Sequence, residues 1–157
     1  MFKKIMVCLD GSKLAEQILP YAVEEAKRFA SELVLFKAFS ESSTISLALP
    51  GMPGVPIDTG NVEKNLKEDE RESEMYLKYL SEKLQGETGL TVSYDKVLGN
   101  AGPAIVEYCA DQEIELIAIA THGRSGFGRA VLGSIADYVI RHSRIPILLI
   151  RPRAEKK

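Results

Sequence analysis

The chain has 157 residues, 45% of them hydrophobic and 27% charged, and a net charge of −2 at neutral pH. This is the composition of one globular domain, long enough to bury a core without a metal or disulfide staple. The slightly acidic balance excludes a nonspecific nucleic-acid binder, which needs a basic footprint, and no apolar run approaches the roughly 20 residues that span a bilayer.

The first segment, "MFKKIMVCLDGS", has two lysines and a short apolar run. It reads as a strand entering a turn rather than as a signal peptide, so the cytoplasm is the expected location. The apolar run is nearly continuous, as in a parallel sheet covered on both faces. Ser12 is a good N-cap for the helix that follows. Apolar residues recur at helical spacing through "SKLAEQILPYAVEEAKRFASE", where Pro20 predicts a kink. "LVLFKAF" is the second strand. Residues 40–60 hold three of the seven prolines and three glycines, and are expected to form a mobile loop that is either a lid or an insert.

"NVEKNLKEDERESEMYLKYLSEKLQ" predicts a long charged helix with Val62, Leu66, Met75, Leu80 and Leu84 on an incomplete apolar stripe, its first turns solvated or frayed, and ended by Gly86. "TVSYDKVL" alternates and is the third strand. Pro103 suits the first turn of the next helix, with Ile105, Val106 and Cys109 inward. "IELIAIA" is the fourth strand, Ser134 opens the last helix, and "IPILLIRP" is the fifth strand. Residues 1–152 form the domain, and residues 153–157 are expected to be a disordered tail. Cys8 and Cys109 match no metal spacing and read as buried free thiols.

Alternating strands and helices predict an α/β fold, with one five-stranded, mostly parallel sheet and helices on both faces. Ligands of such sheets bind beyond the carboxyl ends of the strands, at the switch point. Asp10-Gly11-Ser12 and the stretch "THGRSGFGRAVLGS" belong to that edge. Four of the twelve glycines fall between Gly123 and Gly133. The stretch is not a Walker loop, because Ser134-Ile135 follow Gly133 where Lys-Ser/Thr belongs. Nor is it the dinucleotide fingerprint, because its glycines run in the wrong order. The helix mouth at Gly133-Ser134 can nevertheless hold a phosphate on its free amides; the same residues also suit a long turn with Ser134 as its cap.

"ATHGRSGFGRAVLGS", followed by a helix and "IPILLIRP", resembles the universal stress protein family, whose nucleotide-binding signature is G-2x-G-9x-G-(S/T). Gly123, nine residues, then Gly133-Ser134 match it; Ala120 stands where the first glycine belongs. "MVCLDGS" and "GNAGPAIVEYCADQEIELIAIATHGRSG" extend the resemblance along the chain. It implies a Rossmann-like fold of the adenine nucleotide alpha hydrolase type, usually dimeric. It also implies an ATP site, with Mg2+ or Mn2+ on the phosphates. Asp10, in the turn with Gly11 and Ser12, would lie near the ribose or adenine, and backbone near Ala38 and Val97 would hold the base. Ala120, His122, Gly123, Gly133, Ser134 and Ile135 would line the ribose and phosphates, with Arg124 as a phosphate contact. No residue is assigned a catalytic or metal-ligating role.

The expected function is that of an ATP-binding regulatory or stress-response protein with an unidentified protein partner. A slow ATPase or phosphotransferase is the second reading, set back by the missing Walker lysine and positioned base. A dimeric interaction module without nucleotide is the third. The last strand is apolar on both faces and would lie at an open edge, so Ile147–Ile150 is the predicted homodimer contact.

Overall fold

The structure, a computed structural model, describes residues 1–40, 59–121 and 132–153, with the backbone alone for 59–62. The elements in chain order are β1 (Lys4–Cys8), α1 (Lys13–Glu16), α2 (Leu19–Phe29), β2 (Glu32–Phe39), α3 (Thr59–Thr88), β3 (Val92–Leu98), α4 (Ala101–Asp111), β4 (Leu116–Ala120), α5 (Ser134–His142) and β5 (Ile147–Ile150). The five strands form one sheet in the order β3-β2-β1-β4-β5, and every neighbouring pair is parallel. The α/β architecture expected from the strand and helix rhythm is therefore found. Of the predicted 40–60 loop, residues 41–58 lie outside the described residues, and Thr59 and Gly60 already belong to α3.

Strand parity divides the core into two layers. Ile5, Val7, Leu33, Leu35 and Ala118 face one way and pack with buried residues of α1, α2 and α3. Met6, Phe36, Ile117 and Ile119 face the other way and pack with α4 and α5. Both faces of each central strand are thus covered, which is why β1, β2 and β4 read as unbroken apolar runs. Cys8 and Cys109 are free and buried in the second layer.

The predicted kink at Pro20 is a full break. Gln17 and Ile18 make short i→i−3 bonds to Leu14 and Ala15 at 3.3 and 3.2 Å, and a new helix begins at Leu19. Proline has no N–H to give the carbonyl of Glu16, so the ladder cannot pass it; Pro20 sits instead in the first turn of α2, where an N–H is not needed. The helix closes on Ala30, a left-handed alanine at φ 53°, with Ser31 N donating to Ala26 O at 2.9 Å.

The inner face of α3 differs from the predicted stripe. It is Ser73, Leu77, Leu80, Ser81 and Leu84, all buried, while Met75 is 61% exposed. The first turns are solvated as expected: nearly all of residues 63–72 are exposed. Gly86 does not end the helix but lies within it, and the chain turns at Gly89, φ +70°, a conformation that glycine adopts without strain. Arg153 is held by two hydrogen bonds with the Gln17 side chain, both 2.8 Å, so the chain is still anchored at the start of the predicted tail.

Candidate functional site

Successive strands are added outward from β1 in opposite directions, β2 and β3 on one side and β4 and β5 on the other. The chains leaving β1 and β4 therefore diverge, and a crevice opens between their carboxyl ends. A cleft open to solvent occupies that place, with an enclosed volume of ≈ 110 Å³.

One wall begins at Asp10. Its carboxylate accepts a hydrogen bond from Ser12 N at 2.9 Å, which folds the turn back on itself, and Gly11 supplies the positive φ of 85° that the turn needs. The Ser12 hydroxyl then accepts from Ala15 N at 3.1 Å and caps α1. Asp10 is thus a turn-former and also a cleft-lining carboxylate. α3 reaches the same rim. Tyr76 Oη donates to Glu16 at 3.2 Å, and burial, then the nearby Glu16 and Asp10 carboxylates, push its phenol well above the usual range.

The floor is apolar. Phe36, Ile105 and Ile119 come from β2, α4 and β4, and the Cys8 thiol completes it. Burial, with Cys109 nearby, raises the Cys8 thiol well above its ordinary value; burial alone pushes Cys109 up to about 12. Both thiols are therefore protonated and unreactive near neutral pH.

The far end of the cleft is the start of α5. Gly133 N donates to Thr121 O at 2.9 Å, and Thr121 N donates to Ile150 O at 2.9 Å. These two bonds fix the helix mouth to the ends of β4 and β5. Gly133 is the N-cap and offers no side chain to the first turn, and the first i→i−4 bond is Asp137 N to Gly133 O at 2.9 Å. Ser134 is the first helical residue, not the cap. Among the described residues no side chain caps the first turn, so its leading amides suit an external acceptor, and an anion there gains about 0.3–1 kcal/mol from the helix dipole, up to ~2 when partly buried.

Of the residues singled out from the sequence, Asp10, Ala38, Ala120, Gly133, Ser134 and Ile135 come together around this cleft. Gly11 and Ser12 shape its rim without lining it. Val97 pairs with Ala38 one strand further out and packs against the α4–α5 layer. His122, Gly123 and Arg124 lie outside the described residues. The floor residues and Ala101 were not singled out from the sequence, although strand parity marks Phe36 and Ile119 as a common face. Among the described residues, no cluster of three or more His, Cys, Asp or Glu is arranged to hold a metal, and no helix is long and apolar enough to cross a membrane.

The model of the universal stress protein family matches residues 1–151. The chain is 27% identical over 156 residues to universal stress protein MJ0531 of Methanocaldococcus jannaschii, covering 99% of this chain and 86% of that one. It is 29% identical over 153 residues to universal stress protein YxiE of Bacillus subtilis, covering 96% and 100%. Among solved structures, UspA of Lactobacillus plantarum superposes with a TM-score of 0.79 at 19% identity, over 96% of this chain and 98% of that one. A universal stress protein in complex with cAMP gives 0.69 at 19%, over 97% and 99%. An Arabidopsis thaliana family member with AMP bound gives 0.65 at 14%, over 98% and 94%. With its whole domain matched, this chain belongs to the universal stress protein family.

Proposed function

We propose that the cleft binds an adenine nucleotide, ATP with Mg2+ or Mn2+ on its phosphates, and that the protein acts as a nucleotide-dependent regulator in the cytoplasm. The observation that carries this reading is the joining, in one cleft, of a carboxylate at β1 and an uncapped helix mouth after β4. The parts suit the ligand's parts. The apolar floor of Phe36, Ile105 and Ile119 matches a base. The Asp10 carboxylate can accept from ribose hydroxyls. The amides at Ser134 and Ile135 can donate to phosphate oxygens. A divalent ion would take its ligands chiefly from the phosphates, since Asp10 is the one carboxylate among the described residues that line the cleft. Two family members of the same fold were solved with cAMP and with AMP, which supports a mononucleotide at this edge. We infer little hydrolysis, because the helix mouth has no Walker lysine. We also infer a homodimer through β5, an edge strand whose Leu149 is 37% exposed.

Calorimetric titration with ATP and Mg2+ tests the binding, with Gly133→Val as the variant. Gly133 has φ −59° and ψ 147°, open to any residue, so the fold should survive the change. The added side chain should keep phosphate from the amides and weaken ATP at least about tenfold, or 1.4 kcal/mol. A wild-type protein that binds no ATP, or a variant that binds equally well, removes the proposal. Turnover near the ~10 s⁻¹ typical of enzymes would instead establish the enzyme reading.

A further inference from the structure

The mouth of α5 is seated by one close approach. Gly102, buried in the first turn of α4, faces Tyr138, one turn beyond Ser134 on α5. A Cβ built on Gly102 would meet Tyr138 Cδ1 at 2.8 Å, Cγ at 2.9 Å and Cβ at 3.2 Å. Ordinary carbon contacts need about 3.5–4.0 Å. Turning the ring about the Cβ–Cγ bond leaves the Cγ and Cβ contacts in place. The ring makes a second contact. It stacks on His142 at a centroid distance of 4.0 Å and an interplanar angle of 16°, and the His142 ring is fixed by Nδ1 at 2.8 Å from Tyr138 O. A side chain at position 102 therefore forces Tyr138 and α4 apart, and the load passes to α5 where the ring keeps its rotamer. The cleft spans this joint, since Ala101 on α4 and Gly133, Ser134 and Ile135 on α5 all line it.

We propose that Gly102 is a positioning residue for the phosphate end of the nucleotide: by letting Tyr138 close on α4, it sets where the leading amides of α5 stand relative to the base-binding floor. This rests on the nucleotide reading above. Moving Tyr138 Cδ1 from 2.8 Å to normal contact needs a separation of roughly 0.7–1.2 Å, and a misplacement of about 1 Å in a preorganised site can cost as much as about 10²-fold. The base end, built on Phe36, Ile105 and Ile119, stays where it is.

The test compares two ligands, ATP and adenosine, by calorimetry on wild type, Gly102→Ala, Tyr138→Ala and the double variant, with circular dichroism to establish folding. In Gly102→Ala, ATP affinity should fall at least tenfold and adenosine affinity less than threefold. Adding Tyr138→Ala removes the ring atoms and leaves only the 3.2 Å contact, so ATP affinity in the double variant should return to within about threefold of Tyr138→Ala alone. Equal losses for both ligands, an unchanged ATP affinity in folded Gly102→Ala, or no recovery in the double variant overturns the proposal while leaving the nucleotide reading intact. A wild-type protein that binds neither ligand removes that reading, and the positioning role with it.

Discussion

Ala120 is the one position of the described residues that departs from the family's glycine signature, and its replacement by glycine separates stability from binding. Its side chain is 8% exposed at the end of β4, in register with Ile150. Its parity is that of Leu116 and Ala118, whose side chains belong to the α1–α3 layer, whereas α5 covers the opposite face with Ile117 and Ile119. The methyl thus lies on the α1–α3 side of the cleft that Ala120 lines. Removing it forfeits about 0.8 kcal/mol of burial, and glycine in a strand costs a further 0.5–1 kcal/mol or so in backbone entropy. Ala120→Gly should therefore destabilise by about 1.3–1.8 kcal/mol, a fall in Tm of about 3–7 °C for a chain of this size. ATP affinity, measured well below the transition, should change less than threefold. Calorimetric melting and titration of the two proteins decide it. A tenfold gain in affinity would mean that the methyl occupies space the nucleotide needs, and an unchanged Tm would mean that it packs against nothing; either refutes the reasoning.

The β5 edge gives a second outcome. Leu149 and Ile140 are 37% and 42% exposed, so Leu149→Lys with Ile140→Lys should leave the fold intact and give monomers by light scattering where the wild type gives dimers; a monomeric wild type at micromolar concentration defeats the dimer. Ala30 holds a φ of 53°, and Ala30→Gly should raise stability by about 0.5–1 kcal/mol, read as a higher urea midpoint. The two buried thiols have folded values raised above their ordinary 9.0. The unfolded chain ionises first, so their contribution is full below pH 9 and is lost as pH rises from about 9 towards 12. The fall in urea midpoint between pH 7.5 and 10 should be smaller in Cys8→Ala/Cys109→Ala than in wild type.

The sheet was legible because both of its faces are buried. Segments such as "IMVC" and "LIAIA" carry no polar residue to confuse them, and the alternation of strand and helix leaves few topologies. The helices were read less well where polar residues took inward places. Ser73 hides in the interior by donating to Asp69 O at 2.7 Å and accepting from Lys37, so the inward stripe of α3 looks broken in the sequence and Met75 reads as part of it. The cleft's polar ends, Asp10 and Gly133-Ser134, were visible as turn chemistry. Its floor was not, because Phe36 and Ile105 look like any other core residues until the strand order brings β2, β4 and α4 to one crevice.

The length of α3 has a consequence of its own. Thirty residues at 1.5 Å each make a rod of about 45 Å, twice the ~23 Å of β3. Its last four turns are clamped to the sheet through Leu77, Leu80 and Leu84. The clamp tapers off through Ser73 and the ion pairs of Lys96 with Glu74 and Glu70. Beyond it, water surrounds the helix and contacts within the helix carry more of the load, such as Lys67 with Glu63 at 2.8 Å, each worth only a few tenths of a kcal/mol and weakened by salt. One continuous helix is thus two materials end to end, a packed half that shares the stability of the domain and a mostly exposed half that depends more on its own turns. Among the described residues, the named contacts that tie this rod to the sheet begin only at Glu70.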